Sequence, residues 1–154
     1  MGQEIERKFL VVGDDWRADA TGTRYRQGFL STDPRRTVRV RMAGEVGFLT
    51  IKGITVGARR TEHEYEIPRA DAEQMLDELC ERPLIEKVRF TLRIGRHTWE
   101  VDVFEGENEG LVVAEIELER EDESFEIPDW LGDEVTHDPR YFNASLVKAP
   151  FRTW

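Results

Sequence analysis

The sequence predicts an α+β chain dominated by antiparallel strands, numerous enough to close a small barrel. Two observations carry this reading. Apolar and polar residues alternate with period two over most of the chain, the pattern of strands buried on one side. Charged residues also recur at i and i+2, in Glu4/Glu6, Arg24/Arg26, Arg39/Arg41, Glu62/Glu64, Lys87/Arg89 and Glu115/Glu117. Alternate residues of a strand share a face, so nearly every strand carries charge on one side, and both signs are present.

The period-two segments place strands over 3–12, 23–31, 37–43, 46–53, 61–69, 85–94, 97–104 and 112–120. Thr32-Asp33-Pro34 and Glu105-Gly106-Glu107 supply turn chemistry, and the short connections at Gly44 and Gly95 read as hairpins, which makes the pairing antiparallel. Residues 70–81 break the pattern: Ala72, Met75, Leu76, Leu79 and Cys80 recur at helical spacing, with Asp71 as the expected N-cap and Pro83 beyond the end. Residues 122–131 predict a short helix or turn interrupted by Pro128, and 139–147 a last helix after an Asp138 cap. No linker or repeat interrupts the chain, so it reads as a single domain over 1–154.

Composition bounds the function. A formal net charge of −10, with 35% charged residues, argues against general binding of nucleic acid or of an acidic membrane. A small polyanion stays open to it if arginines and lysines turn inward and surplus acids outward. The single cysteine, Cys80, forms no intrachain disulfide, and no apolar leader or span is visible, so the expectation is a soluble cytoplasmic protein, monomer or homodimer.

Taken strand by strand, the charged faces read most simply as the wet side of a sheet with an apolar core face. Over the whole set that reading weakens. In 37–43, Val38, Val40 and Met42 oppose Arg39 and Arg41; in 112–120, Ala114, Ile116 and Leu118 oppose Glu115, Glu117 and Glu119. A merely solvated face has no need of paired arginines. In a barrel covered by outer helices, the charged faces would look inward.

The ordered motifs resemble the CYTH domains, or triphosphate tunnel metalloenzymes. Glu4-Ile5-Glu6-Arg7-Lys8 fits that family's E-x-E-x-K signature, and Arg26-Gln27-Gly28-Phe29-Leu30, Val38-Arg39-Val40-Arg41 and Leu49-Thr50-Ile51-Lys52-Gly53 follow in order. Glu64-Tyr65-Glu66-Ile67, Glu86-Lys87-Val88-Arg89, Glu100-Val101-Asp102-Val103-Phe104, Ala114-Glu115-Ile116-Glu117-Leu118 and Arg140-Tyr141-Phe142-Asn143 complete the series. The resemblance implies an eight-stranded antiparallel β-barrel tunnel with helices packed outside, a divalent metal, and hydrolysis or cyclisation of a triphosphate. The expected function is metal-dependent hydrolysis of a small triphosphate, inorganic tripolyphosphate first. Thiamine triphosphatase, a class IV-type adenylate cyclase and a non-catalytic polyphosphate- or nucleotide-binding module are the alternatives.

The residue types suit that chemistry. Arginine donates two bonds at once to phosphate, so Arg39, Arg41 and Arg89, with Lys8, Lys52 and Lys87, are the expected substrate cradle. Carboxylates do not bind phosphate but do bind hard cations that bridge to it. Glu4, Glu6, Glu115 and Glu117 are the expected ligands of Mg²⁺ or Mn²⁺, and Glu64 and Asp102, with Glu62, are expected either to hold a second ion or to orient the basic side chains. Lys8, Glu4, Glu6, Arg41 and Glu117 form the expected catalytic set. One departure stands out: some bacterial tripolyphosphatases of the family carry a tyrosine where this chain has Phe29, thought to activate water with the signature lysine. Tyr25 shares Phe29's face but lies roughly 13 Å away along a strand.

Outside that set, bland roles are expected. His63, His97 and His137 show no ligand spacing, and His63 and His97 have parity opposite to the charges. The four tryptophans read as core or cover, Gly28 and Gly53 as permitting strand bends, and Arg140 and Tyr141 as capping the last helix or closing a tunnel mouth.

Overall fold

The structure is a computed structural model that describes residues 2–154. Eight strands form a closed antiparallel barrel: β1 (Gln3–Val11), β2 (Thr21–Ser31), β3 (Arg36–Ala43), β4 (Val46–Gly53), β5 (Arg59–Ile67), β6 (Ile85–Ile94), β7 (His97–Phe104) and β8 (Val112–Glu117). Around the ring the order is β5-β4-β3-β2-β6-β7-β8-β1, and β1 returns to β5 to close it. Closure depends on β1 changing partners along its length. Its first residues pair with β5, Glu4 opposite Arg60, and its later ones with β8, Glu6 opposite Glu117 and Lys8 opposite Glu115. Gly44 and Gly95 take φ of 60° and 61° in the two tight hairpins, backbone angles that only glycine adopts freely.

All eight predicted strands are present, with edges moved by a few residues. The fifth begins at Arg59 rather than 61, and the eighth ends at Glu117 rather than 120. Helix α1 (Arg69–Glu78) begins behind Pro68, and its cap makes no side-chain hydrogen bond, so Asp71 lies in the first turn instead of capping it. No helix forms over 122–131. That stretch runs as irregular chain into a ninth short strand, β9 (Leu131–Glu134), which lies beside the end of β1. A 3₁₀ turn, in which Asp138 accepts from the Arg140 N–H as expected, leads into α2 (Asn143–Lys148), and a last 3₁₀ turn spans Phe151–Thr153. Among the described residues no helix is long and apolar enough to cross a membrane.

The apolar core lies outside the barrel wall. Outward side chains of β1, β7 and β8 (Ile5, Phe9, Trp99, Val101, Ile116) are buried beneath Trp16, Trp130 and Phe125. On the far side, Ala72 and Leu76 of α1, with Cys80 just beyond its end, lie over Val40 and Met42 of β3. Gly28 serves close approach rather than a bend. A Cβ there would stand 2.7 Å from both Cys80 Cβ and Leu84 Cδ2. With the outer faces committed to these contacts, the alternate residues of every strand must point in.

At one end the inward faces themselves become apolar. One step beyond the charged positions stand Phe29, Ile85, Phe104 and Val113, and Leu146 and Val147 of α2 pack on them. Charge therefore occupies only a middle zone of the interior.

Leu76 is fully buried and Leu79, one turn away, is 63% exposed. Leu76→Ala is expected to lower unfolding free energy by about 2–5 kcal/mol, from lost transfer energy and the cavity left behind. Leu79→Ala is expected to stay within about 0.5 kcal/mol of the parent. Chemical denaturation of both variants checks the pair.

Candidate functional site

The middle zone is a cavity of about 380 Å³. Each strand contributes what its parity dictates: Glu4, Glu6 and Lys8 from β1, Arg39 and Arg41 from β3, Lys52 from β4, Glu62 and Glu64 from β5, Lys87 and Arg89 from β6, Glu115 and Glu117 from β8. Arg60 and Glu100 line it as well, so seven basic side chains face seven carboxylates. The expected cradle and carboxylates thus come together, except that Asp102 lies behind the lining. The interior is balanced rather than basic, and the chain's surplus of acid lies elsewhere. Arg24 and Arg26 point out, to Glu105 and Asp77.

Asp102 organises one wall. It is wholly buried, and its two oxygens accept from Arg89 Nε and Nη2 at 2.8 and 2.9 Å and from Lys87 Nζ at 2.8 Å. Against the desolvation of burial, Arg89 and Lys87 hold this carboxyl below its ordinary range. Burial draws the Lys87 ammonium down to about 8 even with Asp102 beside it. Asn143 Oδ1 also accepts from Lys87 Nζ at 3.1 Å and from Gln27 Nε2 at 2.5 Å, tying the start of α2 to the same wall.

Arg39 and Arg41 share a looser anchor. Glu64 Oε2 lies 3.4 Å from an Nη2 of each and accepts from Thr50 Oγ1 at 2.8 Å. Both Nε–H groups are buried with no acceptor among the described residues. Burial, reinforced by the charge of Arg41, lowers Arg39 to about 10. The Tyr25 ring lies between two of these cations, 4.9 Å from the Arg41 carbon and 5.1 Å from that of Arg89. Desolvated guanidinium donors lacking acceptors suit a bound anion.

The opposite wall is acidic. Burial, then Glu115 and Glu4, raises Glu6 well above its ordinary value. Burial, then Glu4, raises Glu62 and Glu117 too. Glu115 is held well below its usual range: Lys8, Arg89 and a hydrogen bond from Glu6 overcome its burial. Lys52 pairs with Glu4 at 2.8 Å and with Glu62 at 3.5 Å. Carboxylates that resist ionising because they crowd one another fit a divalent cation, which would supply the missing charge. Among the described residues no three acidic or histidine groups form a ready-made cage. Mg²⁺ does not need one, since it commonly keeps several waters and takes phosphate oxygens.

Lys8 stands where the walls meet. Its Nζ donates to the Tyr141 carbonyl at 3.3 Å, lies 3.8 Å from Glu115, and sits 5.7 Å from the Phe142 ring. Phe29 is buried among the apolar residues at the α2 end and borders the cavity. Tyr25 packs against the arginines, not Lys8.

Of the roles thought bland, His97 faces outward with its Nε2 2.6 Å from Glu123, and Trp16, Trp99 and Trp130 are buried in the outer core. Arg140 is held by Asp138. The positions of Gln27 and Asn143 carried no assigned role, and Arg60 was missed because it preceded the expected strand. Its i, i+2, i+4 relation to Glu62 and Glu64 was the available signal.

The CYTH domain profile matches residues 2–149. A protein of Acetivibrio thermocellus named inorganic triphosphatase is 52% identical over 154 residues, covering 100% of this chain and 99% of its own. One of Nitrosomonas europaea with the same name is 37% identical, over 94% of this chain and 96% of its own. A crystal structure of an inorganic triphosphatase superposes with a TM-score of 0.67 at 34% identity, over 94% of this chain and 93% of that one.

Two outcomes follow from this electrostatic arrangement. Asp102→Ala leaves Lys87 buried with no carboxylate within 4.0 Å among the described residues and leaves Arg89 only Glu100 and Glu115, at 3.3 and 3.8 Å, and is expected to cost about 3–5 kcal/mol of unfolding free energy in a denaturant titration. The second concerns pH. In metal-free protein Glu6 stays protonated above 4.5, where the unfolded chain has released that proton. Its contribution therefore makes stability fall as pH rises from 4.5 toward the folded value. Glu6→Gln keeps a donor toward Glu115 but removes the titration. It is expected to raise the metal-free melting temperature at pH 7 by at least about 2 °C and to leave it unchanged near pH 4. Equal shifts at both pH values would contradict the assignment.

Proposed function

The chain belongs to the CYTH domain family, and on that footing we propose that it hydrolyses inorganic tripolyphosphate inside the barrel with the help of a divalent metal ion. The observation that carries this reading is one cavity in which fixed arginines and lysines face carboxylates that resist ionisation. Such a pairing of walls suits a polyanion together with a hard cation.

Arg39, Arg41, Lys52, Lys87 and Arg89 take the phosphate oxygens, with the arginines donating in pairs. Asp102 and Glu64 act behind them as orienting groups, because their oxygens are already engaged by Arg89, Lys87, Arg39 and Arg41. Glu4, Glu6, Glu115 and Glu117 hold Mg²⁺ or Mn²⁺. When bound, such an ion would supply positive charge against the phosphates and Lewis-acid stabilisation of the leaving group. Lys8, anchored by the Tyr141 carbonyl and Glu115, donates to a terminal phosphate oxygen or to the attacking water. With Phe29 in place of a hydroxyl, the chain's own contribution is positioning and electrostatic stabilisation.

Purified protein incubated with tripolyphosphate, ATP or thiamine triphosphate, each with Mg²⁺ or Mn²⁺, tests this by phosphate and cyclic AMP release. Fastest phosphate release from tripolyphosphate is expected, falling by about 10²-fold or more in Arg41→Ala and Glu117→Gln. Cyclic AMP from ATP, or fastest turnover of thiamine triphosphate, would move the assignment to those reactions. Tight tripolyphosphate binding without turnover of any substrate would make this a binding module.

A further inference from the structure

Among the cavity cations paired with a carboxylate, Lys8 has the side chain held least tightly. Its closest ion pair is the longest of the set, 3.8 Å to Glu115, and the hydrogen bond it donates to the Tyr141 carbonyl spans 3.3 Å. Lys52 and Lys87 have carboxylate partners at 2.8 Å. A lysine stem is flexible, so the place of this ammonium depends on how firmly the backbone beneath it is fixed. Leu118 N–H donates to the Ile5 carbonyl, and hydrogen-bonded positions alternate along an antiparallel pair. Lys8, opposite Glu115, therefore turns its backbone groups away from β8 and toward β9. Its carbonyl accepts from Val135 N–H at 2.8 Å. Its N–H donates not to a carbonyl but to Thr136 Oγ1, at 2.9 Å, just past the end of β9. Both residues are buried, so water offers that N–H no ready substitute.

The hydroxyl is itself oriented. Glu134 Oε2 takes its proton at 2.6 Å, and Arg7 grips that carboxylate twice, Nε to Oε2 at 2.9 Å and Nη2 to Oε1 at 2.7 Å. The bond from Arg7 holds Glu134 below its ordinary range, so it serves only as an acceptor. The other candidate for the hydroxyl proton, the Lys8 carbonyl, is 3.4 Å away and already takes Val135 N–H. With its proton committed to Glu134, Thr136 Oγ1 turns a lone pair to Lys8 N–H. Arg7 stands on the outer side, its guanidinium carbon 5.1 Å from the Phe125 ring and 5.6 Å from that of Phe9. An ion pair outside the barrel thus ends, through one hydroxyl, on the backbone of the next residue, whose side chain points in.

We propose that Thr136 is a positioning residue for hydrolysis: its hydroxyl, set by Glu134 and Arg7, pins the backbone of Lys8 and thereby places the Lys8 ammonium against the terminal phosphate and the attacking water. This rests on the hydrolase reading above. Thr136 borders the cavity, but its hydroxyl is engaged as donor and as acceptor within the protein, so it acts through Lys8 and not on the substrate. A side chain without an oxygen at this position leaves a buried N–H unpaired, and the strand shifts to find an acceptor. No short ion pair holds the Lys8 ammonium against that shift, so it moves with its backbone. The other cations still bind the ground state, and the loss falls on kcat.

Thr136→Val, which keeps the shape and removes the hydroxyl, and Thr136→Ser, which keeps the hydroxyl, test this together. Both are assayed with tripolyphosphate and Mn²⁺ at a temperature where circular dichroism shows them fully folded. Thr136→Val is expected to lower kcat about tenfold or more with KM within about threefold of the parent, and Thr136→Ser to stay within about threefold in both. Hydrogen exchange at the Lys8 amide, followed by NMR in metal-free protein, is expected to speed up about tenfold or more in Thr136→Val and to change little in Thr136→Ser. A purely structural role would lower the melting temperature of Thr136→Val while leaving kcat of the folded protein unchanged. That result, equal losses of kcat in the two variants, a raised KM at unchanged kcat, or a Lys8 amide as protected in Thr136→Val as in the parent overturns the proposal. A parent protein that turns over no tripolyphosphate would sink the hydrolase reading; parent turnover with Thr136→Val unchanged would sink only the role of Thr136.

Discussion

Asp102 and the two cations it holds are the interaction on which the rest of the structure turns. A wholly buried carboxylate is tolerable only if its charge is met and its lone pairs are filled, and Arg89 and Lys87 do both. The same bonds fix two phosphate-binding side chains before any ligand arrives. Because these residues point inward from β6 and β7, the neighbouring residues Phe90, Val101 and Val103 are committed to the outer face, where hydrophobic burial secures them. Charge inside and core outside are two consequences of one strand parity.

The balance of charge separates this interior from a simple anion hole. Seven cations and seven lining carboxylates would nearly neutralise one another, yet they are segregated. Six of the seven cations are held in ion pairs, while Glu6, Glu62 and Glu117 are pushed toward the neutral acid. A polyanion relieves the crowding of Arg39 and Arg41, and a dication relieves that of the glutamates. Each relieves strain that the other cannot, so anion and cation are expected to bind with mutual support.

Much of this was legible in the sequence because a barrel strand obeys one rule. The i, i+2 charges at Arg39/Arg41, Lys87/Arg89 and Glu115/Glu117 gave the inward face directly, and glycine at 44 and 95 gave the hairpins. Features that depend on tertiary contact were not legible. β9 is four residues long with one large apolar side chain, and only the exposed edge of β1 makes it a strand. The short helix or turn expected over 122–131 takes its turn form only at the two ends, because Phe125 and Trp130 are held against the outer core as separate anchors. The division of labour among carboxylates was equally hidden. Glu64, Asp102 and Glu117 look alike in sequence, and only their distances to arginine distinguish an orienting group from one left for a metal. Arg60 fell just outside an expected strand.

The most direct test of the account is a crystal structure of the protein with tripolyphosphate and Mn²⁺, read through the anomalous signal of the metal. The account predicts a manganese peak against Glu4, Glu6, Glu115 and Glu117, and phosphates against Arg39, Arg41, Lys87 and Arg89 with Asp102 and Glu64 still holding their arginines. A manganese peak at Asp102 or Glu64, or a tripolyphosphate bound outside the barrel, would contradict it.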